Sequence, residues 1–326
     1  MSALRVAVLH GGRSGEHEVS LRSAESVIDA LARKGHRPIP YFISKDGRWH
    51  PAPILPVPGS NPDIDVVFPV LHGTFGEDGT VQGLLEMAAL PYVGAGVFAS
   101  AAAMDKDLFK RICRERGLPV ADYLVLHAPS LDPAPVLRRL PFPVFVKPAN
   151  LGSSVGIHKA HDAAELSAAL ADAARYDTKI LVERCITGPE LECAVVGNHS
   201  PEASTPCQIF PSREFYDYDD KYILDKARAA IPAEVPAEII HQVRRLAVEC
   251  YRAVGCTGMG RVDFLVEAAT GQVFINELNT IPGFTSISMF PKMWAYDGLP
   301  MPELVHRLVE LALERFRERQ ALRYEK

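Results

Sequence analysis

Two acidic residues lie in a segment, residues 261–280 (RVDFLVEAATGQVFINELNT), that has the pattern of a β-hairpin. Its alternating apolar residues predict two strands, and a three-residue loop over 269–271 with its glycine in the left-handed conformation is a common way to join them. In that arrangement Asp263 lies directly opposite Glu277 and on the same face of the hairpin. A loop of two or four residues would instead place the two acids on opposite faces.

The same register brings more polar groups to this face. Arg261 is opposite Asn279, whereas Phe274 and Asn276 are expected on the other face. Carboxylate and amide oxygens suit Mg²⁺, a hard cation that often shares its coordination with substrate phosphates. The alternative is the solvent-facing side of an amphipathic hairpin. Two opposed acids with no lysine between them repel each other, which favours a cation at this position.

A second candidate site follows the apolar strand predicted at 142–148. Lys147 stands near the end of this strand, and the small residues of 152–156 (GSSVG) follow it. Small residues let backbone N–H groups approach an anion, and hydroxyl groups add donors. The segment lacks the Gly-Lys-Ser/Thr of a Walker A loop, and an ordinary flexible turn is the alternative. The lysine at the strand end favours a phosphate-binding loop.

A third candidate lies at the edge of the first predicted sheet. Residues 10–16 (HGGRSGE) follow the first strand and open a helix, and His72 follows a later strand at the same edge. Ligands of open α/β sheets bind at this edge, but the segment departs from the GxGxxG pattern of dinucleotide sites. Glu16 could simply stabilise the helix N-terminus, and His72 could be structural.

An aromatic and charged segment, residues 215–222 (FYDYDDKY), shows no clear periodicity. We therefore expect a long loop there. Long loops in compact domains are commonly lids over a site or disordered segments, and the aromatic content favours a lid.

The elements around these residues predict a fold of mixed class, α/β and α+β. The apolar runs 4–9 and 63–71 are typical of parallel strands buried on both faces, since helical patterns separate them. Residues 142–186 form a compact α+β unit. Beyond Gly188 the strands alternate, as in an antiparallel sheet, and a helix is expected at 235–254.

Three lobes follow from this pattern: residues 1–103, 104–187 and 188–326. The last lobe ends in an amphipathic helix predicted at 302–320, with four apolar residues directed inward: Val305, Leu308, Leu311 and Ala312.

Composition excludes several classes of protein. The 326 residues include 35 Lys and Arg against 40 Asp and Glu, a net charge of −5 that does not favour nucleic-acid binding. An apolar share of 48% excludes global disorder. Six cysteines without a CxxC pair indicate free thiols in a reducing cytoplasm. There is no signal-peptide pattern, and the uncharged stretch 87–104 is too short and too rich in Ala, Gly and Pro to span a bilayer.

Taken in order along nearly the whole chain, these motifs resemble those of the D-alanine–D-alanine ligases of the ATP-grasp superfamily. The matching segments are HGGRSGEHEVS (10–20), LHGTFGEDGTVQG (71–83), MDK (104–106), VKPANLGSSVGI (146–157), LVERCITGPE (181–190), FYDYDDKY (215–222), GRVDF (260–264) and NELNTIPGFTSIS (276–288).

The resemblance implies a three-lobed ATP-grasp fold with a Rossmann-like parallel sheet in the first lobe and a lid loop at about 210–228. It also implies an activity: ATP, bound between the central and C-terminal lobes, phosphorylates one D-alanine, and a second D-alanine attacks the acyl phosphate to give D-alanyl-D-alanine for peptidoglycan. D-alanine is thus both substrates, and the family is commonly homodimeric through the first lobe.

The resemblance also implies the nucleotide and metal ligands. Two Mg²⁺ or Mn²⁺ ions would be bound by Asp263, Glu277 and Asn279, and a monovalent cation is a further possible cofactor. The nucleotide contacts would be phosphate ligands Lys106, Lys147, Ser154 and Lys221, adenine and ribose ligands Glu183 and Glu190, and the backbone of Arg184 and Ile186 around the base.

Substrate and catalytic residues follow in the same way. Glu16 would pair with the ammonium of the first D-alanine, with His72 near its carboxylate; Ser288, followed by Met289, would bind the carboxylate of the second. Oxyanion stabilisation would fall to Arg261 and the N–H of Gly283, and lid closure to a bridge of Glu16, Ser153 and Tyr222.

Tyr222 also bears on the product, since relatives that form the D-alanyl–D-lactate ester lack a tyrosine at that lid position. A ligase with D-lactate or D-serine as its second substrate is the alternative within enzymes. A nucleotide-binding sensor without turnover is the alternative outside them.

Overall fold

The first lobe is a parallel sheet covered by helices on both faces. In this computed structural model, residues 3–152, 155–211 and 228–323 are described. The elements of the first lobe are β1 (Arg5–Gly11), α1 (His17–Arg33), β2 (Arg37–Ile43), β3 (Trp49–His50), β4 (Val66–Pro69), α2 (Thr80–Met87) and α3 (Val97–Met104). The sheet order is β3-β2-β1-β4, and β1 pairs in parallel with both neighbours.

The run of apolar residues in β1 explains why this strand is central. Val6 and Val8 pack with α1 in one core, and Ala7 and Leu9 pack with α2 in another. All four side chains are fully buried, which confirms the prediction of a strand covered on both faces. At the edge of this sheet, Tyr92 forms an isolated parallel bridge to Val67.

The central lobe is an antiparallel sheet of order β5-β8-β6-β7. Its elements are α4 (Lys106–Glu115), β5 (Tyr123–His127), α5 (Ala134–Arg139), β6 (Val144–Pro148), β7 (His158–Ala160), α6 (Ala163–Ala173) and β8 (Lys179–Arg184). One face of this sheet packs against α5 and α6. The other face, with Lys147 and Glu183, is turned toward the C-terminal lobe.

The C-terminal lobe is built on a six-stranded antiparallel sheet, as predicted. Its elements are β9 (Glu190–Val196), β10 (Glu202–Ala203), β11 (Cys207–Phe210), β12 (Arg228–Ala230), α7 (Ala237–Ala253), β13 (Met259–Val266), β14 (Val273–Asn279), α8 (Met289–Tyr296) and α9 (Met301–Gln320). The strand order is β12-β11-β9-β13-β14, with β10 beside β9. None of the helices in the described ranges has the length and apolarity needed to cross a membrane.

The β13–β14 hairpin has the predicted pairing but not the predicted loop. Asp263 pairs with Glu277 and Arg261 with Asn279, whereas Phe264 already pairs with Ile275. The loop therefore spans four residues, 268–271, closed by the Glu267 N–H to Gln272 carbonyl bond at 2.8 Å. Its last residue, the glycine at 271, is left-handed as expected, with φ of +73°.

A β-bulge at Asn276 restores the register that the longer loop would have lost. The pairing shifts between Asp263 and Phe264, so that Asn276 is the extra residue on β14. The expectation that Phe274 and Asn276 face away from the acids is wrong, because Ile275 is the residue that enters the core opposite Phe264. Asn276 instead lines the same cavity as Glu277.

The first and C-terminal lobes share a core and a polar contact. Val27 and Leu31 of α1 lie in the same apolar cluster as residues of α8 and α9. Arg315 of α9 donates to the carbonyl of Tyr92 at 2.9 Å and to the hydroxyl of Thr257 at 2.7 Å. These contacts fix the position of the first lobe relative to β13 and β14. The domain boundaries at 103 and 187 stay a prediction.

Candidate active site

Three carboxylates form a row across adjacent strands of the large sheet. Asp263 on β13 pairs with Glu192 on β9 and with Glu277 on β14, so all three side chains share one face. Asp263 and Glu192 are almost completely buried. Like charges at this spacing repel, and the repulsion is strong where water is excluded.

Arg261 supplies a positive charge to this row. Its guanidinium binds Asp263 through two bonds of 2.7 Å and lies 3.3 Å from Glu192. Burial alone would lower the pKa of Arg261, but the charges of Asp263 and Glu192 raise it well above its usual value. The guanidinium thus lies against two of the three acids and lowers their mutual repulsion.

Asn279 completes the predicted set of metal ligands. Its amide nitrogen donates to Asp263 at 3.0 Å, which leaves the amide oxygen for another partner. Carboxylate and amide oxygens grouped in this way are the donor set that hard divalent cations prefer. The residues present therefore fit the predicted metals.

A cavity of about 520 Å³ lies between the central and C-terminal lobes. Its walls include all the described residues that the sequence assigned to the nucleotide: Lys106, Lys147, Glu183, Arg184, Ile186 and Glu190. Asn276 and Glu277 form its end nearest the acidic row. The cavity thus brings together residues from α4, β6, β8, β9 and β14.

Two lysines and one glutamate form a buried ionic cluster, of which Lys147 and Glu183 line this cavity. The carboxylate of Glu183 lies 2.7 Å from the Lys147 ammonium and 3.2 Å from that of Lys110. Burial alone would raise the pKa of Glu183, but the two ammonium groups lower it to about 2. Burial lowers the pKa of Lys110, whereas Glu183 overcomes burial and raises the pKa of Lys147.

The N-terminus of α4 positions Lys106 and Lys110. Asp105 caps the helix by accepting the N–H groups of Asp107 and Leu108. Lys106 and Lys110 then lie one turn apart on the buried side of α4. The Lys106 ammonium donates to the carbonyl of Leu151 at 2.6 Å, which ties α4 to the predicted phosphate loop.

A smaller cavity of about 110 Å³ lies between the first and C-terminal lobes. It is lined by the residues that the sequence assigned to the amino-acid substrates and to oxyanion stabilisation, namely Glu16, His72, Arg261, Gly283, Ser288 and Met289. Glu277 and Asn279 also line it. Because Glu277 lines both cavities, they meet at this one carboxylate.

Two glycines allow backbone to approach the Glu16 carboxylate closely. A methyl group at Gly73 would lie 2.6 Å from Oε2 of Glu16, and one at Gly152 would lie 2.9 Å from it. Gly73 belongs to the first lobe and Gly152 to the central lobe. The carboxylate is therefore enclosed by backbone from two lobes, in the smaller cavity.

Ser288 and Gly283 lie against each other on the opposite wall. The Ser288 hydroxyl accepts the Thr285 N–H at 3.0 Å and would lie 2.7 Å from a methyl group at Gly283. Ser288 directly precedes α8, of which Met289 is the first residue. A side chain at Gly283 would displace this hydroxyl.

Four of the predicted site residues lie outside the described residues: Ser153, Ser154, Lys221 and Tyr222. Most of the expected lid, residues 212–227, lies there too. Their roles stay predictions.

Comparison with known proteins agrees with this geometry. Residues 112–310 match the family model of the D-ala D-ala ligase C-terminus, and residues 5–60 and 55–95 match that of the N-terminus. A D-alanine–D-alanine ligase from Solibacter usitatus is 61% identical over 98% of this chain and 99% of that protein. D-alanine–D-alanine ligase A of Salmonella typhimurium is 44% identical over 99% of both chains.

This chain belongs to the D-alanine–D-alanine ligase family. Two solved structures share its ATP-grasp fold. The D-alanine–D-alanine ligase of Coxiella burnetii has a TM-score of 0.86 at 37% identity, covering 98% of this chain and 97% of its own. A D-Ala:D-Ser ligase of Enterococcus faecalis has a TM-score of 0.87 at 33% identity, covering 95% and 100%. The predicted fold class and family are confirmed.

Four polar residues in the walls of this ligase-family site were missed in the sequence. Lys110 follows Lys106 by one helical turn, and Glu192 follows Glu190 on the same face of β9, so both spacings carried a signal. Asn276 was expected on the wrong face of the hairpin, because the alternation of apolar and polar residues gives no sign of the bulge. Glu77 accepts the N–H groups of residues 73 and 281, and burial together with the charge of Glu16 raises its pKa to about 8.

The ionic cluster generates a stability prediction for Glu183→Gln. The variant leaves the ammonium groups of Lys110 and Lys147 buried without their carboxylate, so we expect the free energy of unfolding to fall by about 3–5 kcal/mol. Denaturant titration at pH 7 measures this. Glu249→Gln, which breaks an exposed pair with Arg245, is the control and should cost no more than about 0.5 kcal/mol.

The pH dependence of the same variant provides an independent check. Because the pKa of Glu183 is about 2 in the folded protein and near 4.5 otherwise, its contribution is complete above pH 4.5 and is lost as the pH falls toward 2. Between pH 5 and pH 3 the wild type should therefore lose more stability than Glu183→Gln. Parallel curves would show that the carboxylate is not held by the two lysines.

Proposed function

We propose that this protein joins two D-alanine molecules to D-alanyl-D-alanine in an ATP-dependent reaction that releases ADP and phosphate. One observation carries the proposal: Glu277 lines both the larger and the smaller cavity. A nucleotide in the larger cavity and an amino acid in the smaller one would meet at this carboxylate. That is the geometry that transfer of a phosphoryl group to an amino-acid carboxylate needs.

The larger cavity suits the nucleotide because of its charge and its shape. Lys106 and Lys147, which line this cavity, are proposed to bind the phosphates, and Lys221 to reach the γ-phosphate. At the other end, the backbone of Arg184 and Ile186 would frame the adenine. Glu190 would bind the ribose.

Glu183 is proposed to accept the adenine amine, although the structure already gives its carboxylate two ammonium partners. A carboxylate has about four lone-pair sites, so a third donor can be accommodated. Ser154 would add a donor to the phosphates from the glycine-rich loop.

Asp263, Glu277 and Asn279 are proposed to hold two Mg²⁺ or Mn²⁺ ions. Bound there, the ions would neutralise phosphate charge and orient the transferred group. The grouping of these carboxylate and amide oxygens on one face of the hairpin supports this assignment. A monovalent cation stays a possible further cofactor.

In the smaller cavity Glu16 is proposed to bind the ammonium of the first D-alanine. The carboxylate oxygen of this D-alanine attacks the γ-phosphorus, the bond to the ADP oxygen breaks, and an acyl phosphate results. Negative charge then develops on the acyl oxygen when the second substrate attacks. Arg261 and the Gly283 N–H lie in the wall of this cavity to stabilise it.

The second D-alanine is proposed to bind with its carboxylate at Ser288, beside Met289. Its amine attacks the acyl carbon and loses a proton, the carbon–oxygen bond to phosphate breaks, and the dipeptide forms. Ser153 and Tyr222 are proposed to close over Glu16 during this step. Closure excludes water, which would otherwise hydrolyse the acyl phosphate.

The product would serve peptidoglycan synthesis in a bacterial cytoplasm. A second acceptor also has an observation in its favour, because the solved D-Ala:D-Ser ligase shares this fold over 95% of the chain. D-serine and D-lactate are therefore compared with D-alanine in the first experiment.

Phosphate release with ATP and Mg²⁺ tests the activity. Under this proposal we expect phosphate release with D-alanine as the sole amino acid and none with L-alanine. Mass spectrometry of mixtures with D-lactate or D-serine should show D-alanyl-D-alanine as the main product at pH 7. No phosphate release with D-alanine would favour a nucleotide-binding protein without turnover. A preference for another acceptor would replace the dipeptide assignment.

Glu277→Gln tests the carboxylate that the two cavities share. The amide keeps the shape but removes a negative charge from the metal ligands, so we expect kcat to fall about 100-fold or more. Glu202→Gln on β10 is the matched control, since this exposed glutamate belongs to the same sheet and lines neither cavity. Near-normal turnover of Glu277→Gln would contradict the site.

We also propose a homodimer that forms through the first lobe. Met87 at the end of α2 and Val97 and Phe98 at the start of α3 are exposed, with Met87 and Phe98 each 66% accessible. Apolar side chains exposed on neighbouring helices are typical of contacts between subunits. Light scattering should give twice the chain mass of 35.7 kDa for the wild type and a single chain for Phe98→Glu. A wild-type monomer at micromolar concentration would contradict this.

A further inference from the structure

Side chains of the first lobe form hydrogen bonds to the backbone on both sides of Gly283, which belongs to the C-terminal lobe. Glu77 accepts the Ile281 N–H at 3.0 Å, and the Ile281 carbonyl faces Nδ1 of His72 at 3.0 Å. The Phe284 N–H donates to the hydroxyl of Ser23 on α1 at 3.2 Å. Among the described residues, no acceptor takes the N–H of Gly283 itself. The segment is thus fixed at residues 281 and 284, and the N–H between them is left for a substrate.

The order of donors and acceptors along this contact follows from the chemistry of the groups. A carbonyl oxygen only accepts, so Nδ1 of His72 must carry the proton toward Ile281. In a neutral ring Nε2 is then an acceptor. It lies 3.2 Å from the Ser23 hydroxyl, which therefore donates its proton to the ring and accepts from Phe284.

The surroundings keep the His72 ring neutral. Its side chain is buried, and burial lowers the pKa of His72 although the charge of Glu16 opposes this. Arg261 acts in the same direction as burial. A neutral ring with Nδ1 protonated is the form that satisfies both of its neighbours.

Both ring nitrogens of His72 are thus occupied by protein atoms. Ser23 is fully buried and lines neither cavity, so it has no direct access to a substrate. Ser23 contacts the 281–284 backbone directly at Phe284 and through His72 at Ile281, and both contacts bear on the position of Gly283. Displacing an oxyanion donor by a fraction of an ångström weakens it strongly.

We propose that Ser23 is a positioning residue for the ligation, and that it acts with His72 to fix the Gly283 N–H on the developing oxyanion. His72 then has a positioning role in place of a direct bond from its ring to the first substrate. The inference rests on the proposed function, since it assigns a role within the same reaction.

Ser23→Ala and Ser20→Ala separate this role from general stability. Ser20 is a fully buried serine on the same helix, and its hydroxyl bridges the Gly11 N–H and the Val70 carbonyl within the first lobe. Both variants lose a buried hydroxyl with two backbone or ring partners, so similar losses of thermal stability are expected. Only Ser23→Ala should lower kcat, by about 10- to 100-fold.

The steady-state parameters distinguish the outcomes. For Ser23→Ala we expect KM for ATP to stay within about two-fold of wild type, because the larger cavity is not touched. Equal kcat values for Ser23→Ala and Ser20→Ala would overturn the proposal, as would a change confined to KM for D-alanine. Ser23→Cys, with a weaker donor and acceptor of similar size, should give an intermediate kcat and replaces Ser23→Ala if that variant does not fold.

A double-mutant cycle tests whether the two residues act as one unit. His72→Asn keeps an N–H near Ile281 but removes the acceptor for Ser23, so the double variant should be about as slow as the slower single variant. Losses that multiply would show that the residues act separately.

¹⁵N spectra of histidine-labelled protein test the proton order without any turnover. We expect His72, assigned with His72→Asn, to be neutral and protonated on Nδ1 from pH 6 to pH 8. Protonation on Nε2 or on both nitrogens would overturn the inference. Absence of ligase activity in the wild type, by contrast, would overturn the proposed function. The spectrum would then still test the protonation of His72.

Discussion

The mutual repulsion of three carboxylates is the constraint on which this site depends. Glu192, Asp263 and Glu277 lie side by side on β9, β13 and β14, with the Arg261 guanidinium against Glu192 and Asp263. A protein holds such a row together because the rest of the fold is stable enough to oppose the repulsion. A row of this kind favours a cation at the point where both cavities meet.

The lobes around this row contribute side chains of different charge to the site. The central lobe contributes lysines, and the Glu183 carboxylate brings two of them close together. The first lobe contributes Glu16 and the groups that hold the 281–284 segment. Each lobe alone presents an incomplete site. The shared apolar core and the Arg315 contacts therefore matter to the site, because they set the distance between Glu16 and the acidic row.

Much of this arrangement is readable in the sequence, and the exceptions have physical reasons. Continuous apolar runs predicted β1 and β4 because burial on both faces leaves no polar position. The pairing of Asp263 with Glu277 was predicted correctly, but the three-residue loop from which it was predicted is wrong. A four-residue loop and a bulge compensate each other and give the same pairing. The contacts of Lys110 and Ser23 have no pattern of their own, because their partners are distant in the chain and are chosen by the packing of lobes.

The bulge at Asn276 has a consequence for how the hairpin tolerates changes in length. Side chains alternate along a strand, so adding or removing one residue anywhere between the two acids reverses the direction of one of them. Whether the number of residues between the two acids is odd or even thus matters more for their common direction than which residues these are. An insertion of an odd number of residues at the tip keeps both acids on one face only when it is paired with a second irregularity, which makes the tip a poor place for grafting peptides of odd length.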